Sequence, residues 1–272
     1  MAFSASFIKK QLKLIMPKYV SCSLDTQRAF QDKLGELMAN PYRRKTRVEK
    51  KSFGIFEGAW IYPSEALREG VILYLHGGGY VCGNLDFALG FGSVLAEKCG
   101  MRVFCAAYRL APEHKAPAAL NDAAVAYQYL LDCGISASSI MLCGESAGGG
   151  LCFALCASLA ERGLPTPAGI FAVSPWVDLT LSGESIVSKG NADVALSRDQ
   201  LDFFVDCYLG DNTSATDPSV SPLFADPAQT PPSLIMVGAD EILLDDARRM
   251  HEKLSAAGKR SELFVADGFI QI

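Results

Sequence analysis

Ile140-Met141-Leu142-Cys143-Gly144-Glu145-Ser146-Ala147-Gly148-Gly149 runs from an apolar tetrad into a glycine-flanked serine, and an Ala- and Leu-rich stretch follows from Leu151 to Leu159. Strand, sharp turn and helix is the context in which G-x-S-x-G presents a nucleophilic serine. Such a serine sits at a strained backbone angle to project its Oγ, and residues two positions away crowd its side. Gly144 and Gly148 carry no Cβ and relieve that crowding. The N–H of Ala147 emerges at the start of the helix, where donors are unpaired and the helix dipole favours an anion. At ordinary glycine and serine usage the pattern arises by chance in roughly one chain in ten of this length. It needs a second feature to carry weight.

That feature lies upstream, where Val71-Ile72-Leu73-Tyr74-Leu75 leads into His76-Gly77-Gly78-Gly79-Tyr80. A buried strand ending in histidine and three glycines has the form of an oxyanion-hole loop. The glycines let the backbone approach a reacting carbonyl and turn several N–H groups towards it. Each such donor is worth roughly 2.7–4 kcal/mol of transition-state stabilisation. By chance, H-G-G-G occurs in well under one in a hundred chains of this size (about 7% glycine usage).

Length and composition agree with one globular unit and an appendage. The chain has 272 residues, half of them hydrophobic and a fifth charged, with a formal net charge of −5. That length can bury a large core. The negative balance argues against nucleic acid or an anionic membrane as partner. No apolar run approaches the ~18 residues of a membrane span. Lys9, Lys10 and Lys13 interrupt the apolar N-terminus, which reads as amphipathic and not as a signal peptide. Nine cysteines are scattered through apparent strands and helices with no C-x-x-C pair. Zinc and redox chemistry are therefore not expected, nor is any metal or cofactor. Cys152 and Cys156, one turn apart in the helix after Ser146, read as small buried thiols. The expected location is the reducing cytoplasm, and the expected partner is a small molecule, with homo-oligomers left open.

Along the chain, the first ~48 residues show helical apolar spacing and end in a basic run (Arg43, Arg44, Lys45, Arg47) that reads as a solvated face. The segment from Phe53 to Tyr62 suggests strands. Short apolar runs then alternate with longer helical stretches. Strands are predicted at 71–75, 102–107, 139–143, 169–173, 233–237 and 261–265, and helices at 86–99, 117–132, 147–162, 198–209 and 241–257. This alternation predicts an α/β fold with a mostly parallel central sheet and helices on both faces. Sites in such sheets lie at the carboxyl ends of strands, and Ser146, the His76 loop and Asp240 each follow a predicted strand. The region 178–232, richer in Ser, Asp and Pro, is expected to run over the surface.

The chain resembles the hormone-sensitive-lipase-like group of α/β-hydrolase carboxylesterases from about residue 50 to its end. His76–Gly79 is similar to that family's oxyanion loop. Tyr108-Arg109-Leu110-Ala111-Pro112-Glu113-His114, Ser174-Pro175-Trp176-Val177-Asp178-Leu179-Thr180 and Asp217-Pro218-Ser219-Val220-Ser221-Pro222-Leu223 match further signatures, and Gly238–Asp246 resembles the segment bearing the acidic triad member. The resemblance implies Ser146 as nucleophile, Asp240 as acid and the N–H groups of Gly78, Gly79 and Ala147 as oxyanion donors, with His76 and Gly77 in the loop. It also implies a helical cap built from 1–48 and part of 178–215 over a catalytic domain at 49–272. Asp245 and Asp246 are read as complementing a helix N-terminus. Tyr80 and Trp176 are candidates for the pocket wall or for plain packing.

The expected general base is missing. None of the three histidines falls in the family's position, and alignment of Asp267–Ile272 puts Gln271 there. Such an amide cannot take the serine proton. Loss of the triad histidine costs on the order of 10⁶ in kcat in a well-studied serine protease. The expectation is thus a carboxylesterase for short to medium acyl esters whose catalytic domain looks truncated at its C-terminus. A catalytically impaired pocket-binding protein, or a lactonase or amidase using the same residues, is the alternative.

Overall fold

The computed structural model describes residues 5–42, 44–65 and 68–269. In chain order its elements are α1 (Ala5–Val20), α2 (Leu24–Ala39), β1 (Thr46–Ser52), β2 (Glu57–Pro63), β3 (Val71–Leu75), α3 (Leu85–Cys99), β4 (Arg102–Ala107), α4 (Ala118–Asp132), β5 (Ile140–Glu145), α5 (Ala147–Ser158), β6 (Gly169–Val173), α6 (Ser185–Ser188), α7 (Arg198–Tyr208), β7 (Ser233–Gly238), α8 (Leu244–Ala256) and β8 (Ser261–Ala266). The eight strands form one sheet in the order β1-β2-β4-β3-β5-β6-β7-β8. β1 and β2 pair antiparallel, as do β2 and β4, and every other pairing is parallel.

Burial explains the placement. All five residues of β3 are buried, as a strand covered by helices on both faces requires. α5 is apolar all round and buried from Ala147 to Cys156, which makes it the central helix packed against the sheet. Cys152 and Cys156 are both fully buried there. Side chains mark the helix starts: Asn84 accepts from the Phe87 N–H at α3, and Ser197 forms a reciprocal capping box with Gln200 at α7.

The connectivity places the site. From β3 the chain crosses to β4 on one side, then returns through α4 to β5 on the other side of β3. The loops leaving β3 and β5 therefore diverge, opening a crevice at the carboxyl ends of the strands.

Several expectations need adjustment. The segment expected to be a cap to residue 48 gives its last three residues to β1, which pairs Thr46 with Pro63. Of the segment 53–62, expected to be strands, 57–62 belongs to β2 and 53–56 is the turn that joins it to β1, which lies earlier than expected at Thr46–Ser52. The helix expected from 241 begins at Leu244, because 239–243 forms a turn that continues from β7. The region 178–232 does more than cross the surface: Asp178, Leu179, Ile186, Leu201, Phe204, Tyr208 and Val220 are buried in it. Its polar composition reflects internal hydrogen bonding, with the Asp178 carboxylate accepting from Thr180, Ser182 and Arg249.

Candidate active site

β5 ends at Glu145 and α5 begins at Ala147, so Ser146 alone makes the turn, with φ 53° and ψ −123°. A left-handed φ costs an L-residue roughly 1–2 kcal/mol and persists only where the surroundings over-determine it. Here they do. The Ser146 N–H donates to Val173 O at 2.9 Å, while Ser146 O accepts from the N–H groups of Trp176 (3.0 Å) and Gly150 (3.1 Å). A Cβ on Gly148 would overlap the carbonyl oxygens of Leu75 and His76, and one on Gly144 would overlap Gly148 O. Both flanking glycines are thus required by close backbone approach.

The loop after β3 is wound tightly. Gly78 and Gly79 have φ of 105° and 62°, and Tyr80 shares the left-handed region at 62°. Val81 and Cys82 both donate to Gly78 O, at 3.0 and 2.9 Å. Tyr108 donates to His76 O at 2.6 Å. From beneath, Glu145 Oε1 accepts from the Gly77 N–H (2.7 Å) and from the Tyr74 hydroxyl (2.8 Å). Burial pushes the Glu145 carboxyl up to about 7, against the pull of these two donors.

Ser146, Gly78 and Gly79 open onto one cleft of ≈ 190 Å³. Its remaining wall is largely apolar and comes from α1 and α2 (Leu12, Met16, Tyr19, Phe30, Gln31, Leu34), from Phe87 on α3, and from Ala195, Leu196, Gln200 and Phe204. Ala147 is fully buried as the first residue of α5, beside Ser146. Tyr80 and Trp176 do not line the cleft. Tyr80 stacks on Tyr208 with ring centroids 4.0 Å apart, and Trp176 donates through Nε1 to Asp178 O, so both are packing residues.

Asp240 lies just past the carboxyl end of β7, two strands from β5 in the sheet. Its neighbour Glu241 is buried and accepts from the Gly238 N–H at 2.8 Å, and burial raises its carboxyl to about 7. Asp246 departs from its expected helix-terminal role. It is fully buried, and its Oδ2 accepts from the N–H groups of Val177 (2.8 Å) and Asp178 (3.0 Å). Asp245 accepts from the Ser185 N–H at 2.7 Å.

The three histidines sit elsewhere. His76 is fully buried, stacked on Tyr108 at 4.3 Å, with Nδ1 2.8 Å from Gly77 O. Burial holds its ring down at about 4, so it is neutral. His114 is exposed in the loop before α4. His251, on α8, places Nδ1 3.0 Å from Ser261 Oγ. None of them lines the cleft. Gln271 lies outside the described residues. Among the described residues no group of His, Cys, Asp and Glu is placed to hold a metal ion, and no helix is long and apolar enough to cross a membrane.

Three residues that fix the loops carry no expectation from the sequence: Glu145 beneath Gly77, Arg28 of α2 beside the loop after β3, and Phe204 against Gly79. Only Glu145 left a local signal, as an acid directly before the serine.

The sequence profile of the alpha/beta hydrolase fold family matches residues 72–270. An esterase of Acinetobacter venetianus is 38% identical over 194 residues, covering 71% of this chain and 64% of the relative. An acetyl-hydrolase of Streptomyces hygroscopicus is 36% identical over 200 residues, covering 73% and 66%. The chain thus spans slightly under two thirds of these relatives' length. A solved hormone-sensitive lipase from a metagenome library superimposes with a TM-score of 0.92 at 33% identity, over 100% of this chain and 91% of that one. The chain belongs to the alpha/beta hydrolase fold family, in its hormone-sensitive-lipase-like branch.

Proposed function

We propose that the protein is a carboxylic ester hydrolase working through an acyl-enzyme on Ser146. The observation that carries this reading is the left-handed Ser146 at the strand–helix turn, opening onto the same cleft as Gly78 and Gly79. With a base standing at the position of Gln271, that base takes the Oγ proton as Ser146 attacks the ester carbonyl and returns it to the departing alcohol, while the N–H groups of Gly78, Gly79 and Ala147 meet the charge that develops on the carbonyl oxygen. Alcohol then leaves, and water releases the acid. Asp240 is the acidic member that orients the base. The helices α1 and α2 and part of 178–215 act as the cap, consistent with the contributions of α1, α2 and the 195–204 segment to the cleft wall. The small, mostly apolar cleft suits short to medium acyl esters.

The base is the element that this reading does not draw from the three histidines, because none lines the cleft. Gln271 is assigned to the base position, and glutamine cannot accept the serine proton. The same observation favours a second reading, a pocket-binding protein with impaired turnover.

Hydrolysis of p-nitrophenyl butyrate by the 272-residue chain, by Ser146→Ala and by Gln271→His decides between them. The expected result is slow hydrolysis that Ser146→Ala abolishes and Gln271→His raises by orders of magnitude. Turnover near 1 s⁻¹ in the unaltered chain, lost in Ser146→Ala, would mean that another group serves as base. Absence of Ser146-dependent turnover in both the unaltered chain and Gln271→His would favour the binding reading.

A further inference from the structure

The oxyanion loop is held from below by Glu145, but its outer side is gripped by a residue 53 positions earlier in the chain. Arg28, on the face of α2 turned to the sheet domain, donates through Nε to Val81 O at 2.8 Å and through a terminal nitrogen to Ala111 O at 2.8 Å. The same guanidinium closes a two-point fork on Glu113 at 2.7 and 2.8 Å. Val81 is the residue whose N–H closes the turn on Gly78 O, and Ala111 donates in turn to Tyr80 O. One planar group therefore bridges the end of the glycine turn and the 108–114 loop that braces it.

The rest of the α2 face lies close against the same loop and against α3. Gln31, one turn further on, lays Oε1 3.1 Å from where a Gly78 Cβ would stand. At Gly35, a second turn along, the α2 backbone contacts α3, since a Cβ there would overlap Phe87 Cα. α2 is thus seated on the element that leaves the oxyanion loop, with Arg28 at its inner end.

We propose that Arg28 is a positioning residue for the oxyanion loop, so that the helix forming one wall of the cleft also sets where the Gly78 and Gly79 N–H groups point. This rests on the esterase reading of the cleft. A loop with three successive left-handed residues, one of them a tyrosine, gains its geometry from external bonds and not from its own preferences. Carbonyl oxygens fixed by a rigid five-donor fork hold that geometry better than a lysine could, because an ammonium is a point charge on a flexible stem.

The test compares the full chain with Arg28→Met, Arg28→Lys and Glu113→Gln by two readouts: amide hydrogen exchange across 77–83, and the rate at which a fluorophosphonate labels Ser146. Arg28→Met keeps the apolar stem and loses the fork. It should raise exchange across 77–83 while β3 and β5 stay protected, and slow labelling on the order of 10- to 100-fold, the range expected when oxyanion donors are displaced. Arg28→Lys should recover part of both. Glu113→Gln weakens the ion pair but leaves the bonds to Val81 and Ala111, so it should lower the melting temperature with neither readout altered.

Unchanged exchange across 77–83 in Arg28→Met overturns the proposal. So does an equal change in Glu113→Gln, which would reduce Arg28 to an ordinary stabilising ion pair. If Ser146 takes no label in either the unaltered chain or Gln271→His, the esterase reading fails, and the exchange comparison still decides whether Arg28 holds the loop.

Discussion

Replacing Glu145 with glutamine should change the pH dependence of stability more than stability itself. The Glu145 carboxyl is buried, 3% exposed, and burial lifts it from an ordinary 4.5 to about 7. Between these two values the native protein holds a proton that the unfolded chain has released. Stability linked to this group is therefore complete below about 4.5, declines as pH rises through the window, and levels off above about 7. At ~1.36 kcal/mol per tenfold change in proton affinity, the decline amounts to ~3 kcal/mol. Glutamine does not titrate. Its Oε1 can still accept from Gly77 and Tyr74, but its amide nitrogen takes the place of Oε2, which has no hydrogen-bond partner. That unsatisfied donor costs about 1–3 kcal/mol, equally at all pH values.

The prediction is a double difference. Urea unfolding of both proteins at pH 4.5 and pH 8 should show Glu145→Gln less stable at pH 4.5, and better relative to the parent at pH 8 by ~3 kcal/mol. Glu241 and Asp246 also titrate near 7, but they do so in both proteins and cancel. A stability difference that is the same at both pH values, within ~0.5 kcal/mol (a typical additivity error), would show that Glu145 is ionised throughout and refute the burial argument.

Ser146→Gly should melt higher than Ser146→Ala by the equivalent of about 1 kcal/mol, since only glycine removes the left-handed strain, and equal melting temperatures would mean an unstrained elbow. Gly148→Ala should cost more than ~3 kcal/mol or prevent folding, because the added methyl meets two fixed carbonyl oxygens; a soluble variant with parental melting would contradict the packing. Phe204 packs against Gly79 and lines both the cleft and a neighbouring apolar cavity of ≈ 480 Å³. Phe204→Ala should join the two and raise the ratio of p-nitrophenyl octanoate to butyrate hydrolysis several-fold, and an unchanged ratio would place the acyl chain elsewhere.

What the sequence made legible follows from how local each signal is. The turn at Ser146 and the loop after β3 are short and glycine-marked, and their demands fall on adjacent residues, so Gly77–Gly79 and Gly144–Gly148 carry them openly. β3 and α5 are buried on all sides and read as unbroken apolar runs. Arg28 left no trace, because two of its acceptors are backbone carbonyls, which every residue possesses, and the nearer lies 53 positions away. Asp246 was misread for the opposite reason. Its place in the first turn of α8 matches a helix-terminal acid, yet tertiary contact turns it inward to the 177–178 backbone. Tyr80 and Trp176 adjoin the site in sequence, but their rings pack away from the cleft.

The buried acids suggest why this edge of the sheet can be both strained and ordered. Glu145 ties the loop after β3 through Gly77, Asp246 ties the loop after β6 through Val177 and Asp178, and Glu241 closes the turn after β7 on Gly238. Each spans a connection at the carboxyl ends of the strands, where Ser146 and the Gly77–Gly79 loop also lie. A carboxyl can serve this purpose because one oxygen accepts two N–H or O–H donors while the other carries the proton at low pH. As pH rises and the group ionises, its bonds to these donors become charge-assisted and strengthen, while the desolvated charge lowers the stability of the whole fold. The two effects act on different scales: global unfolding becomes easier while the loops around Ser146 are held more firmly. Hydrogen exchange at Gly77, Val177 and Asp178 should accordingly slow between pH 5 and pH 8, after correction for the intrinsic rate, even as the urea midpoint falls.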